Sequence, residues 1–408
     1  MAPNYFVRDR IFKFEIVFSL LINLLKNSYQ TELDRFFQAL DKKDIPERIV
    51  TKQAFSKARM KLDFEAFIEI NDDTVAFFYK EHKPLTWNGF TLMAIDGSTV
   101  QVPDNKECRN YFGIQKSQGK DCPIARVSQI YDALNKITVE ALIGKYDVGE
   151  LEMAATHFMK LMPKDLVLLD RGYPAYWLFN LILSQNADFC ARITTSGWNV
   201  VKDFVASGET EKIILLNAPP SSLKMCKELG LDTNPIALRL VRVELETGEI
   251  EVLITSLLDV EKYSSEIFEE LYHQRWPVEE DYKTLKYRIE LGNWSGETVL
   301  SVYQDFHAKV LAKNLTAVLA FPAIEQIKDQ SSGGKKQPRQ LNFAQAISTM
   351  KNSIMLLLNR PRKAITDMLR KLYKIFYIST EPIRKGRKYP RKQKVRPRPF
   401  HKCYKSTR

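Results

Sequence analysis

The spacing of apolar residues changes near Gly89. Before it, residues 1 to about 80 read as helices: 16–25 is the most apolar stretch, and 51–62 (TKQAFSKARMKL) is a short basic helix carrying Lys52, Lys57, Arg59 and Lys61. After it, short apolar runs bounded by turn residues predict buried strands. Residues 91–95 (TLMAI) end at Asp96-Gly97, and 125–131 and 137–143 are joined by Asn135-Lys136. Residues 166–169 (LVLL) end at Asp170-Arg171-Gly172, and 188–193 is a further strand. Helical spacing returns at 151–161 and 176–184. Three strands followed by helix, strand, helix, strand is the order of an α/β fold.

Residues 196–258 break this rhythm. The segment 238–245 (LRLVRVEL) alternates apolar and charged residues, Thr247-Gly248 follows, and 250–257 is apolar again, a hairpin pattern within a β-rich insertion. Residues 264–287 then predict one long amphipathic helix, 302–319 another, and 343–377 a third beyond a linker, Ser331-Ser-Gly-Gly-Lys-Lys336. After Glu381 comes a Pro-, Lys- and Arg-rich tail with Tyr389, Phe400 and Tyr404, expected to be poorly ordered or to order only on DNA. The resulting division is 1–85, 86–195, 196–260, 261–325 and 326–408.

Charge sharpens this picture. The 408-residue chain is 45% hydrophobic and carries a net charge of +12. From Ser331 onward there are 22 Lys and Arg against only Asp367 and Glu381, whereas the rest has 39 Lys and Arg against 47 acids. A mildly acidic body with a basic arm suits a polyanionic partner, with a merely solvated tail as the alternative. The five cysteines form no C-x-x-C pair and the five histidines no H-x-x-x-H motif, so zinc sites and a disulfide framework are not expected, and the thiols suit a reducing cytosol. Residues 16–25 are too short to span a bilayer, and Lys13, Glu15 and Lys26 flank them, so neither a membrane span nor a signal peptide is expected.

Two aspartates sit alike. Asp96 and Asp170 each follow an apolar run, with a glycine close behind. A carboxylate at the end of a buried strand has a rigid mount, and a nearby glycine permits close approach of backbone or phosphate. Tyr272, Arg275, Glu279 and Lys286, at offsets 0, 3, 7 and 14, fall within about 60° of one another on a continuous helix. That face would present a metal-binding carboxylate at Glu279, phosphate contacts at Arg275 and Lys286, and a phenol at Tyr272. Pro277 either kinks this helix or opens a new one as its first residue. In the second case Tyr272 and Arg275 sit on a separate turn. Glu280 and Asp281 point to other faces, which selects Glu279.

The spacing Tyr272-x2-Arg275-x3-Glu279-x6-Lys286, preceded in order by Asp96-Gly97-Ser98-Thr99 and Asp170-Arg171-Gly172-Tyr173, resembles the signature of the insertion-sequence family four DDE transposases. The resemblance covers about residues 51–319. It implies an RNase H-like core holding Asp96, Asp170 and Glu279, a β-strand insertion between the second Asp and the Glu, and a homodimer on paired DNA ends. Some relatives carry a tryptophan late in the insertion that traps a flipped base. Residues 250–258 have none and Trp198 lies at the other end, so no such role is assigned.

Three carboxylates together repel unless cations sit among them, and hard oxygen ligands suit Mg²⁺, with Mn²⁺ as a substitute. Two such ions about 4 Å apart activate an attacking water or 3′-hydroxyl and stabilise the leaving oxygen. The expected activity is metal-dependent cleavage at element ends and strand transfer into target DNA by a cytoplasmic bacterial protein. A nuclease or resolvase on the same fold, or a non-catalytic DNA-binding derivative, would carry much of the same sequence; joining of strands separates the first from these.

Overall fold

The computed structural model describes residues 5–6, 10–116, 121–245, 248–331 and 338–383. Its elements, in chain order, are α1 (Phe14–Ile22), α2 (Tyr29–Asp41), α3 (Lys52–Arg59), α4 (Glu65–Glu81), β1 (Thr91–Gln101), α5 (Lys106–Phe112), β2 (Ile114–Gln115), β3 (Cys122–Asp132) and β4 (Ile137–Gly144). Next come α6 (Glu150–Phe158), β5 (Asp165–Leu169), α7 (Tyr176–Ser184), β6 (Asp188–Ile193), α8 (Asn199–Ser207), β7 (Glu211–Leu216), α9 (Pro220–Glu228), β8 (Ile236–Glu244) and β9 (Ile250–Thr255). The remainder are α10 (Phe268–His273), α11 (Pro277–Lys283), α12 (Val299–Ser331), β10 (Arg339–Leu341), α13 (Phe343–Met350), α14 (Ser353–Asn359), α15 (Arg362–Ile378) and β11 (Thr380–Pro382). The described residues fall into two compact units, one drawn from 1–81, 99–125 and 283–408, the other from 82–98 and 126–282.

The second unit is built on a mixed sheet in which the strands run β4, β3, β1, β5, β6, β9, β8, β7. β3 and β4 are antiparallel, whereas β1, β5 and β6 are parallel, with Leu92 opposite Leu166 and Val167 opposite Phe189. Parallel neighbours need crossovers, and α6 and α7 supply them. This strand order and these directions make the core RNase H-like. β5 is buried at all five positions, as expected of a parallel strand covered on both faces. Leu92, Leu166, Leu168 and Cys190 pack with Phe268, Leu271 and Val278 of α10 and α11. Toward the other face, Phe189 stacks on Phe179 of α7 at 4.2 Å. His157 is a satisfied core histidine, held between Glu140 at 2.7 Å and Ser128 at 3.0 Å.

The predicted hairpin is present: β8 and β9 pair with Arg239 opposite Thr255, and β9 joins β6 with Cys190 opposite Thr255. Residues 196–260 therefore extend the main sheet. They also include β7 and the helices α8 and α9, which the alternation did not reveal. Of the hairpin turn, Thr247 lies outside the described residues, as do the linker from residue 332 and the tail from residue 384.

In the first unit α12 is the central helix, packed by α1, α4 and α15. Its segment Val299–Gln330 is long and apolar enough to cross a bilayer, yet two thirds of that window is buried in protein. It also carries buried Gln304, Asp305 and Lys309, each hydrogen-bonded, which is the pattern of a core helix. Arg59 of α3 is buried against it, donating to Asp305 at 3.0 Å and Gln304 at 2.7 Å. The basic-helix reading is thus corrected at Arg59, while Lys52, Lys57 and Lys61 are exposed.

Two further expectations are corrected. The helix expected over 343–377 is three: Asn352 adopts a left-handed φ of 66° ahead of α14, and Pro361 is the N-cap of α15. The helix expected over 264–287 is broken into α10, α11 and a π-helical turn, Thr284–Arg288, because Pro277 has no N–H to continue the first piece.

Candidate active site

Asp96, Asp170, Glu279, Tyr272 and Arg275 all belong to the second unit; Lys286 belongs to the first, within the π-helical turn Thr284–Arg288. Asp96 does not end its strand as expected. β1 runs on to Gln101, so Asp96 is mid-strand, and its Oδ1 accepts the Gly97 amide at 3.0 Å. Asp170 follows β5 directly and opens a turn, its Oδ1 accepting the Arg171 amide at 2.7 Å and its carbonyl the Tyr173 amide at 3.0 Å.

Glu279 lies in the first turn of α11, the helix that Pro277 opens. Ahead of it the backbone stays coiled through i→i−3 bonds, including Arg275 N to Tyr272 O at 3.0 Å and Glu279 N to Trp276 O at 3.0 Å. Tyr272 and Arg275 therefore stand on a separate turn, and the single-helix argument for a shared face does not describe this segment. Contact between them survives: Arg275 Nη2 donates to Glu279 Oε1 at 2.7 Å, and the guanidinium lies 5.8 Å from the centre of the Tyr272 ring.

Electrostatics tie the three acids together. Burial pushes the Asp96 carboxyl up to about 6. The Gly97 amide and Arg275 oppose that shift, and Glu279 and Asp170 add to it. Asp170 and Glu279 both favour the charged form of Arg275, against its burial. The Tyr173 hydroxyl is raised by burial and then by Asp96, Glu150 and Asp170. Each of these side chains thus feels the same pocket of negative charge. Among the described residues, no three His, Cys, Asp or Glu side chains converge closely enough to hold an ion as they stand. Hard oxygens, mutual repulsion and a guanidinium lying against Glu279 nevertheless match the donor chemistry of a divalent cation site. In this conformation Arg275 supplies the positive charge.

Beside the cluster is a cavity of about 500 Å³ whose lining includes Tyr272, Arg275, Trp276, Arg192, Glu266 and Glu270. Two buried polar atoms of this wall, the Tyr272 hydroxyl and Arg275 Nε, have no hydrogen-bond partner, so both are available to an incoming acceptor.

The two glycines behave differently from each other. A Cβ on Gly97 would meet the Glu150 side chain at 3.3 Å, so the close approach there is by a carboxylate side chain, itself paired with Arg126 at 2.6 Å; Gly172 faces open space. The sequence reading overlooked Glu150, Tyr173 and Tyr282 as neighbours of Asp96. Tyr282 alone had a usable signal, standing three residues beyond Glu279 on the same short helix.

The strand order and strand directions define an RNase H-like α/β protein, with Asp96 and Asp170 on its central strands or directly after them. Residues 87–315, more than half of the chain, match the family described as Transposase DDE domain, and the chain belongs to that family. It is similar to transposase InsG of insertion sequence element IS4 from Escherichia coli strain K12. The identity is 24% over 352 residues, covering 85% of this chain and 77% of InsG. A piggyBac transposase synaptic complex with hairpin DNA, solved by cryo-electron microscopy, aligns at a TM-score of 0.43. That alignment has 10% identity over 88% of this chain and 75% of its own.

Proposed function

We propose that the chain is a cut-and-paste DNA transposase whose catalytic residues are Asp96, Asp170 and Glu279. The observation that carries this reading is that Asp96, in the central strand, is perturbed by both of the other acids within one unit. These carboxylates would hold two Mg²⁺ ions, with Mn²⁺ as a substitute, and the ions would supply activation of the attacking oxygen and charge stabilisation at the leaving one. For Asp96 and Asp170, one oxygen is occupied by a backbone amide, which fixes the side chain and leaves the other oxygen for a cation. Glu279 would have to leave Arg275 in part as the cation enters.

Arg275 and Tyr272 then become phosphate ligands, since the Arg275 Nε–H and the Tyr272 hydroxyl both lack partners at the cavity wall. Lys286, the last residue of the signature, would supply a point charge toward DNA phosphate. The exposed lysines Lys52 and Lys57 of α3, and Lys61 just after it, suit the backbone of the element's terminal inverted repeats. The basic tail suits either DNA or a second copy of the chain, and cutting two ends in concert calls for a homodimer. A cytoplasmic bacterial location fits that work.

The test uses purified protein, a DNA fragment with the element's ends, and a target plasmid. Asp96→Ala, Asp170→Ala and Glu279→Ala are each expected to abolish cleavage while retaining end binding, and the wild type to join the cut ends to the target with Mg²⁺. Full cleavage by all three variants would reject the site; cutting without joining would favour a nuclease.

A further inference from the structure

We infer that Tyr282 and Asp281 are positioning residues that set the height and rotation of Glu279 over the central strands; the inference rests on the catalytic reading of Glu279. α11 has seven residues, follows a break at Pro277 and leads into a π-helical turn. A helix that short has no stability of its own, so its placement is decided by what it touches. Val278 anchors it in the apolar cluster, but apolar packing is non-directional and tolerates small slides.

Two polar contacts remove that freedom. The Tyr282 hydroxyl donates to the backbone carbonyl of Asp96 at 3.0 Å, linking the helix that bears one catalytic carboxylate to the peptide that bears another. At about 100° per residue, Tyr282 lies about 60° around the helix from Glu279, so its tether acts on nearly the same face. Asp281 points elsewhere, into β3. It is 5% exposed and accepts from Gln129 Nε2 at 3.0 Å and from the Tyr131 hydroxyl. Gln129 is in turn fixed by Thr138 of β4 at 3.3 Å. One tether sets the distance between Glu279 and Asp96, and the other prevents α11 from turning about its axis.

A carboxylate buried this deeply costs stability relative to an apolar side chain, which a merely structural contact would not need. Second contacts of this kind typically change metal affinity or activity by about 10- to 100-fold when removed.

The experiment compares wild type, Tyr282→Phe and Asp281→Asn, with Phe179→Leu as a variant loosened on the other face of the sheet. Mn²⁺ binding is read by electron paramagnetic resonance of the free ion, and single-turnover cleavage is read on pre-bound DNA ends across a Mn²⁺ titration. Tyr282→Phe is expected to weaken Mn²⁺ binding about tenfold or more and slow cleavage correspondingly. Part of the rate should return at high Mn²⁺, with DNA-end affinity unchanged. Asp281→Asn is expected to shift the same way and carries the test if Tyr282→Phe does not fold. Phe179→Leu should keep the wild-type Mn²⁺ requirement. Wild-type Mn²⁺ dependence in both tether variants, or an equal shift in Phe179→Leu, overturns the inference while leaving the catalytic cluster in place. A wild-type protein that neither binds Mn²⁺ nor cleaves overturns the proposed function and this inference together.

Discussion

Arg275 reaches across the start of α11 to Glu279, Nη2 to Oε1 at 2.7 Å, and its own side chain is only 9% exposed. The pair is formed by two residues on different turns rather than on one helix, so it depends on the coil that Pro277 interrupts. Arg275→Ala would leave Glu279 without a cation and remove a forked donor from the cavity wall. Single-turnover end cleavage is expected to fall by about 100-fold or more, and Arg275→Lys to recover little of it, since an ammonium cannot reproduce the planar fork. Arg275→Lys cleaving at the wild-type rate would remove Arg275 from phosphate recognition.

Pro277 is itself a test of the local structure. At the first position of a helix, proline is pre-organised and gives up no hydrogen bond, so Pro277→Ala is expected to destabilise the protein by about 0.5–1 kcal/mol. In the interior of a continuous helix the same change would instead stabilise by about 3 kcal/mol. Urea unfolding gives the sign, and a large stabilisation would restore the single helix over 264–287.

Much of the core was legible because buried parallel strands leave continuous apolar runs: β5 and β6, and the helix α7 between them, lie where the pattern placed them. What escaped was decided by tertiary partners. Residues Gly97-Ser98-Thr99 look like a turn, yet β1 carries them on as half-buried strand. Arg59 looks like one more exposed cation in a basic helix, yet it meets Asp305, 246 residues away in sequence. Asp281, two residues after Glu279 on α11, is on another face of that helix. No spacing rule could show that the direction it faces is a pocket made by Gln129 and Tyr131. The three acidic residues could be picked out by type and order, whereas the contacts that Asp281 and Tyr282 make could not.

The Asp165 carboxyl, at the first position of β5, gives the protein a pH dependence of defined sign. Burial raises it from the ordinary 3.8 to about 7, the Met162 amide partly offsetting this and Asp132 adding to it. A folded-state value above the unfolded one means that its contribution is fully present below about pH 4 and is lost as pH rises through about 7. Asp165→Asn abolishes the loss, so the variant should match the wild type's trend at pH 4 and exceed it progressively toward pH 8, by at most about 4 kcal/mol. Urea midpoints at the two pH values measure the difference; a difference that does not change with pH would show that Asp165 ionises normally in the fold.

The two kinds of cation on α3 separate stability from DNA binding. Arg59 and Asp305 are each 4% exposed in their side chains, and the pair is enclosed in a network with Tyr29, Ser295 and Gln304. Removing one partner strands the other as a buried charge, so Asp305→Ala and Arg59→Ala should each cost about 3–5 kcal/mol of stability. The double change Arg59→Met with Asp305→Leu should cost much less, because no charge is left behind. Lys57, two residues earlier, is exposed, and Lys57→Ala should leave the melting temperature nearly unchanged. If α3 lies on DNA, that variant lowers end affinity at all sequences alike and reduces the slope of log affinity against log salt by about one. Filter binding across a salt series on the wild type and Lys57→Ala decides this. An unchanged slope would remove α3 from the DNA interface, while the cost of Asp305→Ala would stand as a property of the helical unit alone.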